Sequence, residues 1–559
     1  MRHQGHLQVR EEDDKFFREL WKTIDGEEER RSRVKISYGT AGFRRKGETL
    51  RGVAFRCGLL AGLRSRALDG KATGLVVTAS HNPVEDNGIK LVDGDGGMLH
   101  ISWEKYAEEV VAAQSSQELQ QVVEKIVLRP ENTCVAASGG VVLLARDTRP
   151  TGEALIAAAI AGVKAAGCEA LGSTDTLRTT PQLHWQVLMK NCGKPSEESD
   201  YFDKLREGCS RLLSGQGSKP VGHLIIDCAN GVGALKAPSV VSAISNAGTV
   251  VTLKNTGGGV VNHLCGADYV QKEKVLPETF VDLPGDSLCL SLDGDADRVV
   301  FFLPGAGQSG QGAPGSVDLL DGDKILCLIA AHLKSCLSKL DGAMTGPKPS
   351  IGVIQTAYAN GSSTRYLEEN LGLSVVKTKT GVKHLHHSAL AFDVSVYFEA
   401  NGHGTVLFSE SFLERLRKVP QGNGGAMHLL ELSDIVNPSV GDALSMALLV
   451  YVILTHKKWT HREWCDLYRD VPSRMLKCVV PDRSQIKTTN AEQQMLQPQE
   501  LQVKVDELVS KASLGRAFVR PSGTEDIVRI YAEAETQQGA DQLAQSIMEA
   551  VRSHFHGGQ

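Results

Sequence analysis

Short apolar runs alternate with longer amphipathic stretches along most of the chain. Residues 74–78, 141–145, 223–227, 287–292, 351–355, 394–398 and 517–519 read as strands, and several run straight into loops of Gly, Asp, Asn or Ser. Residues 13–24 place Phe16, Phe17, Leu20, Trp21 and Ile24 on one helical face and predict an amphipathic helix. The longest apolar-rich run, 443–454, is too short to span a bilayer and reads as a core helix. This alternation predicts α/β layers, with roughly the last hundred residues forming a separate α+β unit. In open α/β sheets ligands bind beyond the carboxyl ends of strands, so the loops are where chemistry is to be sought. Three polar stretches, 192–219, 415–425 and the Gly-rich 305–316, read as linkers or surface insertions, the last of them flexible. Asp321-Gly322-Asp323 reads as a turn, and no short repeat suggests a solenoid.

Composition narrows the function. With 559 residues, 41% of them hydrophobic, the chain can bury several cores, and at about 150 residues per domain it predicts three or four domains. Lys and Arg (61) nearly balance Asp and Glu (66), which argues against a general nucleic-acid or membrane-surface binder. A phosphate ligand must therefore be caught by a local cluster. Twelve scattered cysteines without a CxxC pair predict free thiols in a reducing compartment. The polar N-terminus lacks an apolar signal core. A soluble cytoplasmic protein is expected.

Four loops carry candidate chemistry. Thr78-Ala79-Ser80-His81-Asn82-Pro83 follows a strand and lacks the GxSxG pattern of a hydrolase elbow. It can be a capped turn, or Ser80 can carry a phosphate, which supplies charge and three oxygens. Asp293-Gly294-Asp295-Ala296-Asp297-Arg298 lies between two apolar runs. If extended, it turns its three carboxylates to one side, where they repel unless a hard cation sits among them. An EF-hand needs Gly at its sixth position and Glu at its twelfth, and Arg298 and Pro304 stand there instead. A solvated acidic turn is the alternative. Glu399-Ala400-Asn401-Gly402-His403-Gly404 offers acceptors and donors suited to hydroxyl-rich ligands, or is an ordinary polar turn. Arg520-Pro521-Ser522-Gly523-Thr524-Glu525, with Arg529 beyond it, combines hydroxyls, backbone N–H groups and two guanidinium forks into an anion cradle.

In this order, and with Tyr38-Gly39-Thr40-Ala41-Gly42-Phe43-Arg44 upstream, the four loops resemble those of the α-D-phosphohexomutase superfamily. The Glu399–Gly404 loop, together with Asn262–Asp268, Gln355–Gly361 and Thr378–His384, is similar to the phosphoacetylglucosamine mutase branch. The resemblance implies a four-domain architecture, three related α/β domains plus a C-terminal α+β domain around a central cleft. The serine loop would lie in 1–180, the metal loop in 181–298, the sugar loop in 299–435 and the phosphate loop in 436–559. It implies a phosphoserine at Ser80 and Mg²⁺ held by Asp293, Asp295, Asp297 and the Ser80 phosphate. It further implies sugar contacts from Glu399, Ala400 and Asn401, and phosphate contacts from Arg520, Pro521, Ser522, Gly523, Thr524 and Arg529. The implied reaction interconverts N-acetylglucosamine 6-phosphate and 1-phosphate through a 1,6-bisphosphate and supplies UDP-N-acetylglucosamine biosynthesis. His81 and Lys90 are the acid–base candidates, and Arg44 and Arg298 the charge stabilisers. No nucleic acid, membrane or obligate protein partner is expected. A phosphoglucomutase or phosphomannomutase, a metal-dependent phosphatase and a non-catalytic phosphosugar-binding protein are the rival readings.

Overall fold

The computed structural model describes residues 36–39, 41–128, 139–216, 221–305, 315–340, 342–420, 422–522 and 526–556. The expected helix at 13–24 and most of the 305–316 insertion lie outside them. The chain divides into two units, Met1–Leu319 with Asp434–Val452, and Leu320–Ser433 with Ile453–Gln559.

In the first unit, five strands form a sheet ordered β1-β3-β2-β4-β5: β1 (Phe43–Lys46), β2 (Thr73–Val77), β3 (Asp86–Val92), β4 (Val141–Arg146) and β5 (Glu169–Leu171). β2, β4 and β5 run parallel, while β3 is antiparallel to β2 and β1. β2 (TGLVV) is buried along its whole length, as a strand covered on both faces must be. Helices α1 (Arg51–Ala67) and α2 (Gly152–Ala165) flank this sheet. A second sheet follows in the order β10-β9-β8-β6-β7, with β6 (His223–Asp227), β7 (Val250–Lys254), β8 (Ser287–Leu292), β9 (Val299–Pro304) and β10 (Val317–Leu320). β8 and β9 form an antiparallel hairpin, and its turn carries the three aspartates. Helix α3 (Thr180–Asn191) connects the sheets.

The described part of the 192–219 stretch, residues 192–216, is not a linker. It contains helix α4 (Glu198–Leu213), which buries Tyr201, Phe202, Leu205, Cys209 and Leu212. Those apolar residues recur at helical spacing inside a polar composition, and a capping box of Glu197 and Asp200 starts the helix.

In the second unit, β11 (Ile351–Thr356), β12 (Val375–Thr378), β13 (Val394–Phe398) and β14 (Gly404–Phe408) form a sheet ordered β12-β11-β13-β14. The C-terminal part is α+β, as the pattern predicts. Strands β15 (Ser473–Val479), β18 (Arg516–Pro521) and β19 (Ile527–Glu533) form an antiparallel sheet, beside a small hairpin of β16 (Lys487–Thr489) and β17 (Gln494–Gln497). Asp321-Gly322-Asp323 is a helix start rather than a free turn. Asp321 caps α5 (Gly322–Ser338), accepting from the Asp323 and Lys324 N–H groups. The 415–425 stretch is largely the meeting of a helix ending at Arg417 with α6 (Gly424–Ile435). The apolar run at 443–454 is buried throughout, inside α7 (Ala443–Lys457).

Candidate functional site

β2 ends at Val77, and the chain turns so that Ser80 takes a left-handed backbone, φ +54°. A non-glycine residue there costs about 1–3 kcal/mol and persists only where its surroundings impose it, as they do here. The Ser80 N–H donates to Thr78 Oγ1 at 2.9 Å, and the Thr78 hydroxyl donates to Asp147 Oδ2 at 2.7 Å. Arg149, fully buried, pairs with Asp147 at 3.0 Å. Its Nη2 donates to the Ser80 and Asn82 carbonyls at 2.9 and 2.8 Å, and its Nη1 to Asp86 O at 2.8 Å. Asn262 Nδ2 donates to the same Ser80 carbonyl at 2.7 Å. The serine loop is thus held by its own carbonyls, and the hydroxyl is left to face the aspartates.

Those aspartates lie on a tight turn, so an extended alternation is not what brings their carboxylates together. The Ala296 N–H donates to Asp293 O at 3.1 Å, and Ala296 itself has φ +56°. Asp293 Oδ1 accepts from the Asp297 and Arg298 N–H groups. The Ala443 N–H, where α7 begins, donates to Ala296 O at 3.1 Å. A Cβ at Gly294 would lie 2.7 Å from the Ser80 carbonyl oxygen, so only glycine lets the two loops approach this closely.

All three carboxylates are buried, with ligand oxygens within 4.8 Å of one another. Ser80 Oγ donates to Asp293 Oδ2 at 2.5 Å and lies 3.2 Å from Asp297 Oδ1. From β3, Lys90 Nζ sits 2.6 Å from both Asp295 Oδ2 and Asp297 Oδ2, and Thr180 Oγ1 donates to Asp295 Oδ2 at 2.6 Å. Arg298 Nε lies 3.8 Å from Asp293 Oδ2 and 3.7 Å from Asp297 Oδ1. Burial, then the Asp297 and Asp295 charges, push Asp293 well above the usual carboxylate range. Burial also works against the Lys90 charge, but Asp295 and Asp297 more than reverse it, and the ammonium is held. Arg44, pushed down to about 10 by burial and then by Arg298, stays cationic. His81 is kept neutral, pushed well below its usual range by burial and then by the Arg298 and Arg44 charges.

This site fits a hard divalent cation. Its donors are all oxygen, as Mg²⁺ prefers, and the buried Asp295 Oδ1 has no hydrogen-bond partner. Three like charges at this spacing repel one another and favour a bound cation among them.

The second unit holds the other two loops. Glu399, Ala400 and Asn401 form the turn between β13 and β14. The Glu399 N–H donates to His403 O at 2.9 Å, and Asn401 Nδ2 donates to Glu399 Oε2 at 3.3 Å. The start of α5 abuts this turn, where a Cβ at Gly322 would lie 2.0 Å from Glu399 O. Arg520 and Pro521 end β18, and Arg529 on β19 stands directly opposite Arg520. Like charges opposite one another on a sheet are unfavourable, so the pair favours a bound anion. Arg520 Nε donates to the Tyr358 hydroxyl at 3.0 Å, and its Nη1 lies 3.3 Å from Glu492 Oε1. The Ser522 N–H donates to Ile527 O at 2.9 Å, while Gly523 and Thr524 lie outside the described residues.

The structure therefore gathers Ser80, Asp293, Asp295, Asp297, Lys90 and Arg298 into one site with Arg44 and His81 beside it. Asp147, Arg149, Thr180 and Glu492 escape a motif reading. Asp147 and Arg149 follow β4 as Ser80 follows β2, and that shared position after a strand is the signal that could have found them.

Family models match four successive stretches of the chain. These are "Phosphoglucomutase/phosphomannomutase, alpha/beta/alpha domain I" at 64–118 and 120–194 and "Phosphoacetylglucosamine mutase AMG1, domain II" at 198–300. Domain III of the latter family matches 321–459, and "Phosphoglucomutase/phosphomannomutase, C-terminal domain" matches 475–550. The chain is 46% identical over 542 residues to the phosphoacetylglucosamine mutase of Arabidopsis thaliana, covering 93% of this chain and 95% of that one. To the Homo sapiens protein of the same name it is 44% identical, covering 92% and 94%. Among solved structures it resembles Aspergillus fumigatus N-acetylphosphoglucosamine mutase in complex with GlcNAc-6P and magnesium, with a TM-score of 0.86 at 40% identity, covering 97% and 99%. Matched in four successive stretches and across most of its length, the chain belongs to the phosphoacetylglucosamine mutase family of the α-D-phosphohexomutase superfamily.

Proposed function

We propose that the protein interconverts N-acetylglucosamine 6-phosphate and N-acetylglucosamine 1-phosphate, supplying UDP-N-acetylglucosamine synthesis, with Ser80 as a phosphoryl carrier. The observation that carries the reading is Ser80 Oγ set 2.5 Å from Asp293 Oδ2, beside Asp295 and Asp297, on a loop immobilised by Arg149. Membership of the family supports the same assignment.

Asp293, Asp295 and Asp297 would hold Mg²⁺, which supplies charge neutralisation for a phosphoryl group on Ser80. The sugar O1 forms its bond to phosphorus as the bond from phosphorus to Ser80 Oγ breaks, and the O1 proton ends on Ser80 Oγ. The 1,6-bisphosphate then turns end for end, Ser80 Oγ takes the phosphoryl group of the 6-phosphate, and its proton ends on O6. Charge and protons balance over the cycle, and the serine is recharged. Lys90 enters as a donor because two carboxylates hold its ammonium, while His81 stays neutral, since burial and the Arg298 and Arg44 charges oppose its protonation. Arg44 and Arg298 offset the charge of the transferring group. We assign the substrate's stationary phosphate to Arg520, Pro521, Ser522, Gly523, Thr524 and Arg529, and its hydroxyls to Glu399, Ala400 and Asn401. The serine loop falls to a domain at 1–180, the metal loop to 181–298, the sugar loop to 299–435 and the phosphate loop to 436–559.

No helix among the described residues is long and apolar enough to cross a membrane. The buried free thiols suit a reducing compartment, and we place the activity in the cytoplasm.

Phosphorus NMR of the full chain with Mg²⁺ and each of N-acetylglucosamine, glucose and mannose 6-phosphate tests the assignment. The 1-phosphate of N-acetylglucosamine is expected as the fastest-formed product. Release of inorganic phosphate would point to a phosphatase, and preference for glucose or mannose to another branch of the superfamily.

A further inference from the structure

Away from the aspartate turn, the second unit holds a second cluster of ligand-type side chains, of different chemistry. His332 and Cys336 lie four residues apart on α5, and so on one face of it. His428 reaches them from α6, with its Nε2 2.7 Å from His332 Nε2. Cys336 Sγ lies 3.6 Å from the same His332 nitrogen. The three ligand atoms fall within 4.8 Å of one another. A third ring, His456 in the last turn of α7, has its centroid 4.2 Å from that of His428 and 6.2 Å from that of His332. His332, Cys336 and His428 thus bring their ligand atoms together, with the His456 ring beside them and with His332 and Cys336 buried.

We infer that His332, Cys336 and His428 form a structural site for a borderline divalent transition ion, of which Zn²⁺ is the best match, with His456 or a water as fourth ligand. Distances make the case. Tetrahedral coordination with Zn–N about 2.05 Å and Zn–S about 2.3 Å places neighbouring nitrogen and sulfur about 3.6 Å apart and two nitrogens about 3.3 Å apart. The nitrogen–sulfur edge is already at 3.6 Å. The nitrogen–nitrogen edge, at 2.7 Å, is that of a hydrogen bond between one protonated and one bare nitrogen. It needs to open by about 0.6 Å, which a small rotation of either ring supplies.

The surroundings favour neutral imidazoles with lone pairs to donate. Burial, then the neighbouring His456 and Lys339, push His428 down to about 3, and burial with His428 and Lys457 pushes His332 well below its usual range. Burial pushes the Cys336 thiol up to about 11, while Lys339 and Lys457 oppose the rise. On binding, the Cys336 S–H bond breaks, its proton leaves to water, and a sulfur–metal bond forms. The proton shared by the histidine pair moves to the Nδ1 of the donor ring, so one proton is released per ion. Nitrogen and sulfur donors do not suit Mg²⁺, so this site and the aspartate turn take different ions. The ion would tie α5, whose other end abuts the Glu399 turn about 15 Å along the helix, to α6 and α7.

Titration of chelator-stripped, full-length protein with Co²⁺, in excess Mg²⁺ to occupy the aspartates, tests the inference. One Co²⁺ per chain with a thiolate-to-metal charge-transfer band, displaced by one equivalent of Zn²⁺ and accompanied by release of one proton, is expected. Cys336→Ser should lose the band. His428→Gln, at the more open edge of the cluster, should weaken binding by ~100-fold or more, beyond the 10–100-fold typical of losing an outer partner, with mutase activity retained. Absence of the band in the wild type, or its survival in Cys336→Ser, overturns the site. If Cys336→Ser does not fold, unchanged affinity in His428→Gln overturns it equally.

Discussion

Around Ser80, the backbone rather than the hydroxyl takes most of the protein's restraint. Arg149 and Asn262 hold its carbonyl, and Thr78 accepts from its N–H. Arg149→Lys keeps the charge but loses the planar fork that spans several carbonyls. It should lower kcat by ~10–100-fold with KM changed by less than about twofold, because the residue positions the carrier and does not bind substrate. Steady-state kinetics on a variant of unchanged circular dichroism checks this, and a change in KM alone would point to substrate binding instead. Gly294→Ala drives a methyl into the Ser80 carbonyl. It should cost about 1–3 kcal/mol of stability and abolish most activity, read by thermal melting and assay. Ser80 and the three aspartates are legible in the sequence because each motif is local. Arg149 and Thr180 are not, since their partners stand 69 and 115 residues away, and nothing in a linear pattern marks such a contact.

The strands were readable because buried aliphatic runs end abruptly at polar loops, and β6, β8 and β13 begin and end where the pattern puts them. α4 was not readable from composition, since its buried face is narrow and its remaining residues are charged. The turn geometry of the aspartate loop was not readable, because Ala296 takes a left-handed conformation that its residue type does not announce. At the start of α5, Asp323 is buried and its carboxyl is pushed up to about 7, although the Asn360 N–H and then the Lys377 charge oppose the shift. Between its ordinary value of 3.8 and about 7, the folded chain keeps a proton that the unfolded chain has released. Stability from this group is full at the acidic end and falls as pH rises through that window, by at most about 1.4 kcal/mol per pH unit. Asp323→Asn should therefore flatten the pH dependence of the melting temperature between about pH 4 and 7, and an unchanged profile would place the titration elsewhere.

Over the whole molecule, the two units divide the chemistry. One carries the serine and the oxygen-donor site, and the other the turn and strands assigned to sugar and phosphate. Chelation should bring activity below ~1% of its starting value and added Mg²⁺ restore it, since the transferring charge depends on the ion. Zn²⁺ at the histidine–cysteine cluster should not substitute for that rescue. The four-loop order was visible in the sequence because each loop is a contiguous motif. The histidine–cysteine cluster was not, because only His332 and Cys336 share a helical spacing, and His428 and His456 come from other helices.

In the proposed cycle Ser80 holds the phosphoryl group before the sugar arrives and regains it from the sugar afterwards. Phosphopeptide mapping of the purified, active protein, before and after exposure to N-acetylglucosamine 6-phosphate carrying labelled phosphorus, tests it most directly. Phosphate is expected on the Ser80 peptide at the outset, with label entering that same peptide on turnover. Full mutase activity in a protein whose Ser80 is never phosphorylated would contradict it.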